Sequence, residues 1–408
     1  MKIGLLAYHS AINFGATLQL YSTYCFVKNR GHQPVVINWV APDLADYYSA
    51  NATQEQMLMQ ESMRRALWVE TAACSTSQDV ADVIKAEKID AVVIGSDAVA
   101  QHHSVLERLA FPCRTIVGLR GTHSDCQFPN AFWADWQDFL PAKIPVAVIS
   151  ASCQDSAYRY MRFGLRKAMC RRVMDYYYLS VRDSWTQRMM SHITHGKLLP
   201  DVTPDPVFAF EQNASHVVPE KEVLLKRYNL PDDYILMSFI NKTTVTQQWI
   251  DSFAAIAASH GKTCVMLPFA HAESFGQLAH TISLPLSPID WYALIKYSSG
   301  YVGHNMHPIV VSLHNNVPFF SFDNYGTKRF NGLWPSDESS KIRHILQLAD
   351  LMEQRVPCLS KKFKAPAPEF VYNRLIATDK QKLREFAGEY LALYNDMMRR
   401  AVHSITKQ

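Results

Sequence analysis

The sequence predicts an α/β protein with two parallel-sheet domains that face a common cleft. Three observations support this fold class. A strand–helix–strand unit opens the chain at residues 2–38, and a second series of alternating strands and helices begins near residue 234. The length of 408 residues also exceeds what one hydrophobic core comfortably serves. Because parallel strands direct their carboxyl ends to one edge, we expect both domains to present those ends to the cleft.

The first domain is assigned to residues 1–210. Its opening strand leads into a helix that stops at Gly31, as a helix end should. The later strands are short, continuous apolar runs of the kind found in buried parallel sheets. The predicted strands span residues 2–7, 34–38, 89–94, 145–150 and 178–181, and the predicted helices span residues 16–29, 80–88 and 159–174.

The second domain is assigned to residues 211–375. Asp205-Pro206 and the polar run at residues 211–222 mark the boundary before it. Strands are predicted at residues 234–240 and 263–267, helices near residues 246–259 and 289–297, and an amphipathic segment at residues 337–353. Residues 376–408 form a third unit, in which a helix from about residue 379 to residue 406 carries an apolar face.

Composition narrows the class of protein. Apolar residues make up 48% of the chain and charged ones 19%, as in soluble globular proteins. The net charge of +4 is too small to indicate nucleic acid as a partner, although it tolerates an acidic small-molecule substrate. Eight cysteines without a C-x-x-C pair favour free thiols in a reducing cytosol.

The sequence also favours a cytoplasmic location. No apolar stretch approaches the roughly 20 residues that cross a bilayer. The apolar run at residues 2–7 is too short for a signal peptide. Peripheral contact with the inner face of a membrane is compatible with this composition.

The most informative segment is residues 301–322, where an apolar strand, a histidine turn, an apolar helix and a second strand follow one another. His304, Asn305 and His307 occupy the turn, and Pro308 suits the first helical position. At such a junction a helix presents free N–H groups and the positive end of its dipole. A titratable imidazole at His307 is therefore well placed to bind an anion.

Polar residues also follow three strands of the first domain. Asp97 is a candidate general base, because a carboxylate in a cleft can take a proton from a sugar hydroxyl. Arg182 offers a guanidinium that fits carboxylate or phosphate in a bidentate way. His307 titrates near neutrality and suits a general acid or a phosphate ligand. The candidate substrate-binding residues are His9, Asn13, Gly15, Gly95, Ser96, Asn305 and Lys328.

Each of these residues also has a purely structural interpretation. Asp97 could cap the next helix. Arg182 could pair with Asp183 or with another surface carboxylate. Asn13 and Gly15 are both common in turns, where unusual backbone angles are needed.

The histidines and the basic pair after the last strand have alternatives too. His307 could pack in the core or join His304 and His314 in a metal site. No metal is predicted, because carboxylate or cysteine partners for these histidines are not evident in the sequence. Lys328 and its neighbour Arg329 are usually a solvated pair, but they could also complete a phosphate pocket.

Several segments in a consistent order carry a family resemblance. They are Lys2-Ile-Gly-Leu-Leu-Ala-Tyr-His with Asn13-Phe-Gly-Ala16, Asp90-Ala-Val-Val-Ile-Gly-Ser-Asp97, Ile149-Ser-Ala-Ser152, Ser180-Val-Arg-Asp183, Asp205-Pro206, and Gly303-His-Asn-Met-His307 before Val317-Pro318. Together they cover roughly residues 1–330 and resemble the polysaccharide pyruvyl transferase family.

The resemblance implies two Rossmann-like domains of the glycosyltransferase B type, with residues 376–408 packing back on the first domain. It implies transfer from phosphoenolpyruvate to a sugar of a polysaccharide or of its lipid-linked precursor. The product would be a cyclic pyruvate ketal, with release of phosphate and no cofactor. By this resemblance, Arg182 and His307 fall where the family holds phosphoenolpyruvate, and Asp97 falls in the acidic G-S-D motif.

Three positions depart from the family pattern. Asn305 stands where some members have arginine, Pro308 replaces a common glycine, and Ala98 stands where glutamine is frequent. Part of the anion binding must therefore come from elsewhere. Two alternatives remain open. One is a glycosyltransferase that uses a nucleotide sugar in the same cleft, and the other is a non-catalytic assembly partner with a decayed site.

Overall fold

Two parallel six-stranded sheets form the framework of the computed structural model, which describes residues 1–113, 116–119, 121–329 and 334–407. Two short antiparallel pairs, β4–β5 and β14–β15, accompany them. The strands are β1 (Lys2–Leu6), β2 (Gln33–Val36), β3 (Ala91–Ile94), β4 (Leu109–Cys113), β5 (Ile116–Leu119), β6 (Val146–Ala151), β7 (Tyr178–Val181), β8 (Asp201–Val202), β9 (Tyr234–Ser238), β10 (Thr263–Met266), β11 (His280–Thr281), β12 (Gly300–Gly303), β13 (Phe319–Asp323), β14 (Thr327–Arg329), β15 (Trp334–Ser336) and β16 (Arg355–Pro357).

The two sheets have related strand orders. The first runs β2–β1–β3–β6–β7–β8 and the second β11–β10–β9–β12–β13–β16. Parallel bridges from Val36 to Glu70 and from Trp39 to Cys74 place residues 70–74 beside β2, in the position of a further strand. With that segment included, the first sheet has the order 3-2-1-4-5-6-7, and the second has the Rossmann order 3-2-1-4-5-6. The predicted fold class of two Rossmann-like parallel sheets is confirmed.

Local sequence signals fix many helix ends. Asn13 accepts a hydrogen bond from the Ala16 amide, and Thr76 and Asp79 form a capping box. The helices are α1 (Phe14–Asn29), α2 (Pro42–Asn51), α3 (Gln54–Leu67), α4 (Ser77–Ala86), α5 (Val105–Arg108), α6 (Phe163–Met174), α7 (Ser184–Ile193), α8 (Phe210–Ala214), α9 (Lys221–Tyr228), α10 (Gln247–Ser259), α11 (Pro288–Lys296), α12 (Met306–His314), α13 (Lys341–Leu348), α14 (Pro368–Ile376) and α15 (Lys380–Thr406).

Some helix boundaries differ from the prediction. The helix predicted at residues 159–174 begins at Phe163, because residues Tyr158–Tyr160 form a separate 3-10 turn. The amphipathic segment 337–353 is helical only over Lys341–Leu348, where the Ser340 hydroxyl caps the first turn by accepting from the Arg343 amide. Side-chain caps override hydrophobic periodicity at helix ends.

One hydrophobic core connects the two sheets. It includes Leu18 of α1, Ile289 of α11 and Met397 of α15, all nearly or fully buried. The Phe14 and Trp291 rings lie 5.4 Å apart across the same junction. Helix α15 contacts β6 and β7 of the first sheet and α12 of the second half. The C-terminal helix therefore crosses back onto the first sheet.

Further contacts blur the boundary between the halves. Helix α8 packs against α1, although its residues follow the predicted boundary at residue 210. The Gln56 side chain of α3 donates to the Leu286 carbonyl at 3.0 Å and accepts from the Leu286 amide at 2.7 Å. The limits at residues 210 and 375 stay predictions. Within the described residues, no helix is both long enough and apolar enough to cross a membrane.

Candidate active site

Side chains from both sheets meet at the carboxyl ends of the strands. Asp97 follows β3, Arg182 follows β7, and Asp205 follows β8 of the first sheet. His307 lies at the start of α12 after β12, and Lys341 begins α13 after β13 of the second sheet. Contacts among these five residues form what we call the charged cluster. The predicted convergence of Asp97, Arg182 and His307 is thus seen in the structure.

Arg182 is deeply enclosed, with its side chain 1% exposed. One terminal nitrogen lies 2.6 Å from Asp205 Oδ2 and the other 2.8 Å from Asp97 Oδ1. Burial alone would lower the pKa of this guanidinium, but the two carboxylates outweigh it and raise the pKa. Asp183, the alternative partner, instead accepts from the Thr186 amide at 2.7 Å and caps α7. Arg182 therefore links two strand ends.

Asp97 does not cap a helix, because the next helix, α5, begins at Val105 and is capped by Ser104. Its carboxylate bonds Arg182 and also Lys341, whose Nζ lies 3.3 Å from Oδ1. Burial opposes ionisation, yet the charges of Lys341 and Arg182 hold the pKa of Asp97 well below its usual range. In the free protein this carboxylate is an anion and a weak base.

His307 contacts the cluster through its Nε2 atom. The Gln19 side-chain nitrogen lies 3.1 Å from that atom and donates to Asp205 Oδ2 at 2.6 Å. Asp205 Oδ2 itself is 3.8 Å from His307 Nε2. Burial is the main cause that lowers the pKa of His307, even though Asp205 and Asp97 oppose it. The free protein therefore holds a neutral imidazole that accepts from Gln19.

Gly15 lets α1 approach this imidazole closely. A Cβ atom built on Gly15 would lie only 2.1 Å from the ring of His307. Gly15, which was predicted to bind substrate, thus lies against His307, the predicted acid. Only a residue without a side chain fits at this position. Asn13, two residues earlier, caps the same helix with its side-chain oxygen.

Lys341 is buried, with 4% of its surface exposed. Its ammonium group lies 5.6 Å from the centre of the Tyr325 ring. Burial and the neighbouring Arg182 lower the pKa of Lys341, against the pull of Asp97. Because Asp97 is the only carboxylate among the described residues within salt-bridge distance of it, this cation is held less firmly than Arg182.

Other predicted residues shape the backbone near the cluster. Gly95 has φ +125°, and a Cβ there would lie 2.2 Å from the Ile149 carbonyl oxygen, so glycine is required. The Ser96 hydroxyl donates to the Ser150 carbonyl at 2.9 Å. Asn305 precedes α12 with φ +76°, a conformation that asparagine tolerates better than most residues.

Two further predicted residues, His9 and Lys328, add no described contact to the cluster. His9 is fully buried, and its Nε2 lies 2.9 Å from Asn38 Oδ1 rather than near His307. Burial is the main cause that lowers its pKa. Lys328 lies in β14, but its side chain is outside the described residues.

His304, His307 and His314, which were considered as a possible metal site, contact different partners. His304 Nδ1 accepts from the Ile240 amide at 3.3 Å, and its Nε2 lies 3.1 Å from Thr244 Oγ1. His314 packs near the Phe208 ring, at 6.2 Å between centres. In the part of the chain that the structure describes, no group of three or more His, Cys, Asp or Glu side chains could hold a metal ion.

Sequence reasoning missed three members or neighbours of the cluster. Gln19 is a polar residue between Leu18 and Leu20 in a helix that is buried over most of its length, and that isolation was a usable signal. Asp205 appeared as a boundary marker and as part of the family resemblance, but not as a site residue. Lys341 carried no signal, because a lysine beside serines normally indicates an exposed helix start.

The fold and the cluster define a two-sheet protein of the glycosyltransferase B type with a charged site between its halves. The model of the polysaccharide pyruvyl transferase family matches residues 13–325, and the chain belongs to that family. No curated protein gives a significant sequence match.

Solved structures share the fold at low identity. A UDP-GlcNAc 2-epimerase from Neisseria meningitidis bound to UDP-GlcNAc has a TM-score of 0.55 at 10% identity, with 100% of both chains covered. Arabidopsis thaliana UGT89C1 complexed with UDP-L-rhamnose has a TM-score of 0.53 at 8% identity, covering 100% of this chain and 99% of the other. The epimerase from Rickettsia bellii has a TM-score of 0.52 at 11% identity, covering 99% and 97%. At these identities the likeness concerns the fold alone.

Proposed function

We propose that the protein transfers a pyruvyl group from phosphoenolpyruvate to two hydroxyls of one sugar in a polysaccharide or its lipid-linked precursor. The family supports pyruvyl transfer to a polysaccharide. The observation that carries the donor assignment is the charged cluster, in which Lys341 and His307 of the second half face Asp97 of the first. The product is a cyclic ketal, and phosphate is released.

The donor's charge determines which residues bind it. Phosphoenolpyruvate carries about three negative charges near neutrality, which calls for cations and helix N-termini. Each terminal nitrogen of Arg182 already donates to a carboxylate and the side chain is 1% exposed, so we assign it the role of positioning Asp97. Lys341, with its single and longer contact, is the cation that can turn to the donor. Lys328 stays a predicted phosphate ligand.

Asp97 is the proposed base for the first addition. A sugar hydroxyl loses its proton to this carboxylate as its oxygen bonds C2 of the donor. Asp97 passes that proton to the donor's methylene carbon, which becomes a methyl group, so the carboxylate is regenerated. Lys341 and Arg182 weaken Asp97 as a base in the free protein. An anionic donor that draws Lys341 away would restore its basicity, because a nearby negative charge raises a carboxyl pKa.

His307 is the proposed acid for the second step. A second hydroxyl of the same sugar attacks C2, the bond from C2 to the phosphate oxygen breaks, and the ketal closes. His307 gives its proton to the leaving phosphate and takes up the proton of the second hydroxyl. Its side chain is 14% exposed, so a ligand in the cleft can reach it.

Phosphate release from phosphoenolpyruvate, measured with a pool of lipid-linked sugars, tests this proposal. The wild type should release phosphate only when acceptor is present, and the acceptor should gain the mass of a pyruvyl ketal. His307→Ala should lower the rate by about 10²–10⁴-fold. Near-normal turnover by His307→Ala would remove His307 from the scheme.

A nucleotide-sugar transferase is the second candidate. It is favoured only by fold neighbours whose structures hold UDP-GlcNAc or UDP-L-rhamnose. Titration of the protein with phosphoenolpyruvate and, in parallel, with these two nucleotide sugars separates the candidates. Binding of a nucleotide sugar without binding of phosphoenolpyruvate would favour the second. Binding of neither, with no phosphate release, would favour a non-catalytic partner.

A further inference from the structure

The structure assigns an acceptor-sugar site to a pocket of about 400 Å³ beside the first sheet. This pocket, which we call the α2–α3 pocket, lies where β1 and β2 end and is closed by α2 and α3. Ser10, Asn38, Tyr48, Gln60 and Arg64 line it. The volume is within the range of small-ligand pockets. The inference rests on the proposed function, because it names the place of the acceptor.

The polar groups of the pocket are fixed before a ligand arrives. Arg64 donates to both carboxylate oxygens of Glu70, at 2.9 and 2.7 Å. Arg64 also donates to Asn38 Oδ1 at 3.3 Å, and His9 Nε2 lies 2.9 Å from that same oxygen. His9 therefore supports the pocket from behind. A network of this kind orients polar groups at little cost when a hydroxylated ligand binds.

The charges of the pocket balance. Arg64 pairs with Glu70, and Arg65 pairs with Glu61 on the same helix. The cations of the charged cluster are paired as well, but Lys341 there has a single contact at 3.3 Å that a trianionic donor can displace, whereas two short bonds hold Arg64 to Glu70. A neutral sugar ring needs hydrogen bonds and no free cation. The pocket and the charged cluster therefore suit different halves of the reaction.

Gln60 supplies an unused acceptor. The residue is 1% exposed, and its Nε2 donates to Thr17 Oγ1. Its Oε1 has no hydrogen-bond partner among the described residues. A buried amide oxygen without a partner is costly, and a sugar hydroxyl that donates to it would remove that cost.

The pocket lies close to the reaction centre. Ser10 and Ile12 line the pocket and belong to the loop that joins β1 to α1, shortly before Gly15. Thr17, which holds Gln60, belongs to the first turn of α1, where Gly15 touches His307. A sugar in the pocket can therefore direct hydroxyls toward the charged cluster.

Ligand-observed NMR with the methyl glycosides of glucose, galactose and mannose tests this site on the full chain. At least one glycoside should show saturation transfer from the wild-type protein. Each of the variants Gln60→Met and Tyr48→Leu should remove that signal. Gln78→Met is a matched control, because Gln78 is exposed on α4. Thermal unfolding should show that both pocket variants remain folded.

The outcomes separate this inference from the proposed function. Sugar binding that His307→Ala retains and Gln60→Met loses supports the site, even if no phosphate is released. Pyruvyl transfer with an unchanged acceptor KM in both Gln60→Met and Tyr48→Leu would overturn the site while leaving the proposed function intact. Absence of saturation for all three glycosides would also overturn it.

A second inference comes from the surface of α6. Residues 159–172 carry six cationic side chains and no acidic one, in a chain whose net charge is +4. Arg159, Arg162, Lys167 and Arg171 are exposed, together with the aromatic side chains Tyr160 and Phe163. Phe163 is 70% exposed, which is unusual for so large an apolar group. We call these six residues the α6 basic face.

The α6 basic face begins on the same edge of the sheet as the active site. Strand β6 ends at Ala151, which bridges to Asp97, and the chain then leaves that edge for α6. The start of α6 therefore lies on the side where the charged cluster opens. A surface bound there would bring its substrates to the cleft.

We propose that the α6 basic face docks on an anionic bilayer. Clustered arginine and lysine are attracted to anionic headgroups, and exposed phenylalanine and tyrosine insert at the headgroup level. Exposed aromatic and apolar groups among the cations favour a bilayer over nucleic acid, which is bound mainly through phosphate contacts. This inference does not depend on the chemistry of the donor.

Co-sedimentation with vesicles of phosphatidylglycerol and phosphatidylcholine tests the docking. Binding should require phosphatidylglycerol and weaken with salt. The triple variant Arg162→Gln, Lys167→Gln and Arg171→Gln should weaken it on the order of a hundredfold. Phe163→Ser should weaken it independently of salt.

The control removes three exposed cations elsewhere, in Lys28→Gln, Lys85→Gln and Lys226→Gln. This triple variant has the same net charge as the α6 triple and should bind vesicles much as the wild type does. Equal losses in the two triples, equal binding to pure phosphatidylcholine, or tighter binding to duplex DNA than to vesicles would overturn the docking proposal.

Discussion

Arg182 illustrates how one buried residue can hold two strand ends together. Its guanidinium is fully enclosed and joins Asp97 to Asp205. Removing one member of a buried ion pair leaves an uncompensated charge, which is far more costly than losing a surface pair. The same contacts hold Asp97 in its place at the end of β3.

Arg182→Met should therefore lower the free energy of unfolding by about 3–5 kcal/mol. Urea unfolding followed by circular dichroism measures this loss. Lys85→Met is the control, because it removes an exposed pair with Asp82 and should change stability by less than about 0.5 kcal/mol. Similar losses in the two variants would contradict the assigned role of Arg182.

The pH dependence of the reaction reports on His307. Its pKa lies below the ordinary value of about 6.5, chiefly because the ring is buried. If the protonated ring acts as an acid, kcat/KM should rise as the pH falls through and below that value, and should decline toward alkaline pH. The bound donor adds negative charge, so the corresponding limb of kcat should lie at higher pH.

In the His307→Gln variant, the rise of kcat and of kcat/KM toward low pH should disappear. Asp97 should add no limb near neutrality to kcat/KM, because its pKa in the free protein is held far below that range. A wild-type profile of kcat/KM that stays flat from about pH 5 to pH 8 would contradict an acid role for His307.

How far single residues could be predicted depended on where they lie in their elements. Asp97, Arg182 and His307 stand directly after strands, so the rule about strand ends found them. Lys341 and Gln19 lie on helices, and their burial depends on contacts with distant segments such as Asp97 and His307. Helical position alone gives no sign of such contacts.

At the scale of elements, the contact between α1 and α12 sets the position of His307. Gly15 in the first turn of α1 has no space for a Cβ, because the imidazole of α12 occupies it. The fit between these two helices is therefore part of the site. The resemblance and the turn interpretation both drew attention to Gly15, but neither indicated this contact.

Gly15→Ala should displace the imidazole and lower kcat by about 10²-fold, as expected for a misplacement of about 1 Å. Steady-state phosphate release measures this effect. Gly388→Ala is the matched control, since Gly388 lies in α15 with no atom within 4 Å of its added Cβ. That control should keep full activity and gain roughly 0.5–1 kcal/mol of stability. Unchanged kcat in Gly15→Ala would refute the contact.

Strands were easier to predict than helix ends. Continuous apolar runs such as residues 89–94 and 145–150 leave little alternative to buried parallel strands. Helix ends depend on capping residues such as Ser340, and hydrophobic periodicity does not reveal such residues. The pairing of residues 70–74 with β2 was not predicted either, because that segment is polar and poorly periodic.

At the scale of the whole molecule, the shared core makes the two sheets interdependent. Side chains of α1, α11 and α15 belong to one continuous apolar cluster, and Gln56 bonds the backbone of the other half. Such contacts join residues more than 200 positions apart, which no local pattern reveals. The sequence predicted two sheets but could not predict how firmly they are joined.

We therefore expect thermal unfolding to occur as one cooperative transition. Differential scanning calorimetry should give a calorimetric enthalpy equal to the van't Hoff enthalpy. Two transitions, or a calorimetric enthalpy well above the van't Hoff value, would show that the halves unfold separately despite this core.

The central claim is that phosphoenolpyruvate binds at the charged cluster between the two sheets. A crystal structure of the protein with phosphoenolpyruvate bound tests it most directly. The account predicts the donor within hydrogen-bond distance of His307 and Lys341, with the Lys341 ammonium moved away from Asp97. A donor bound elsewhere, with the contact between Lys341 and Asp97 intact, would contradict the account.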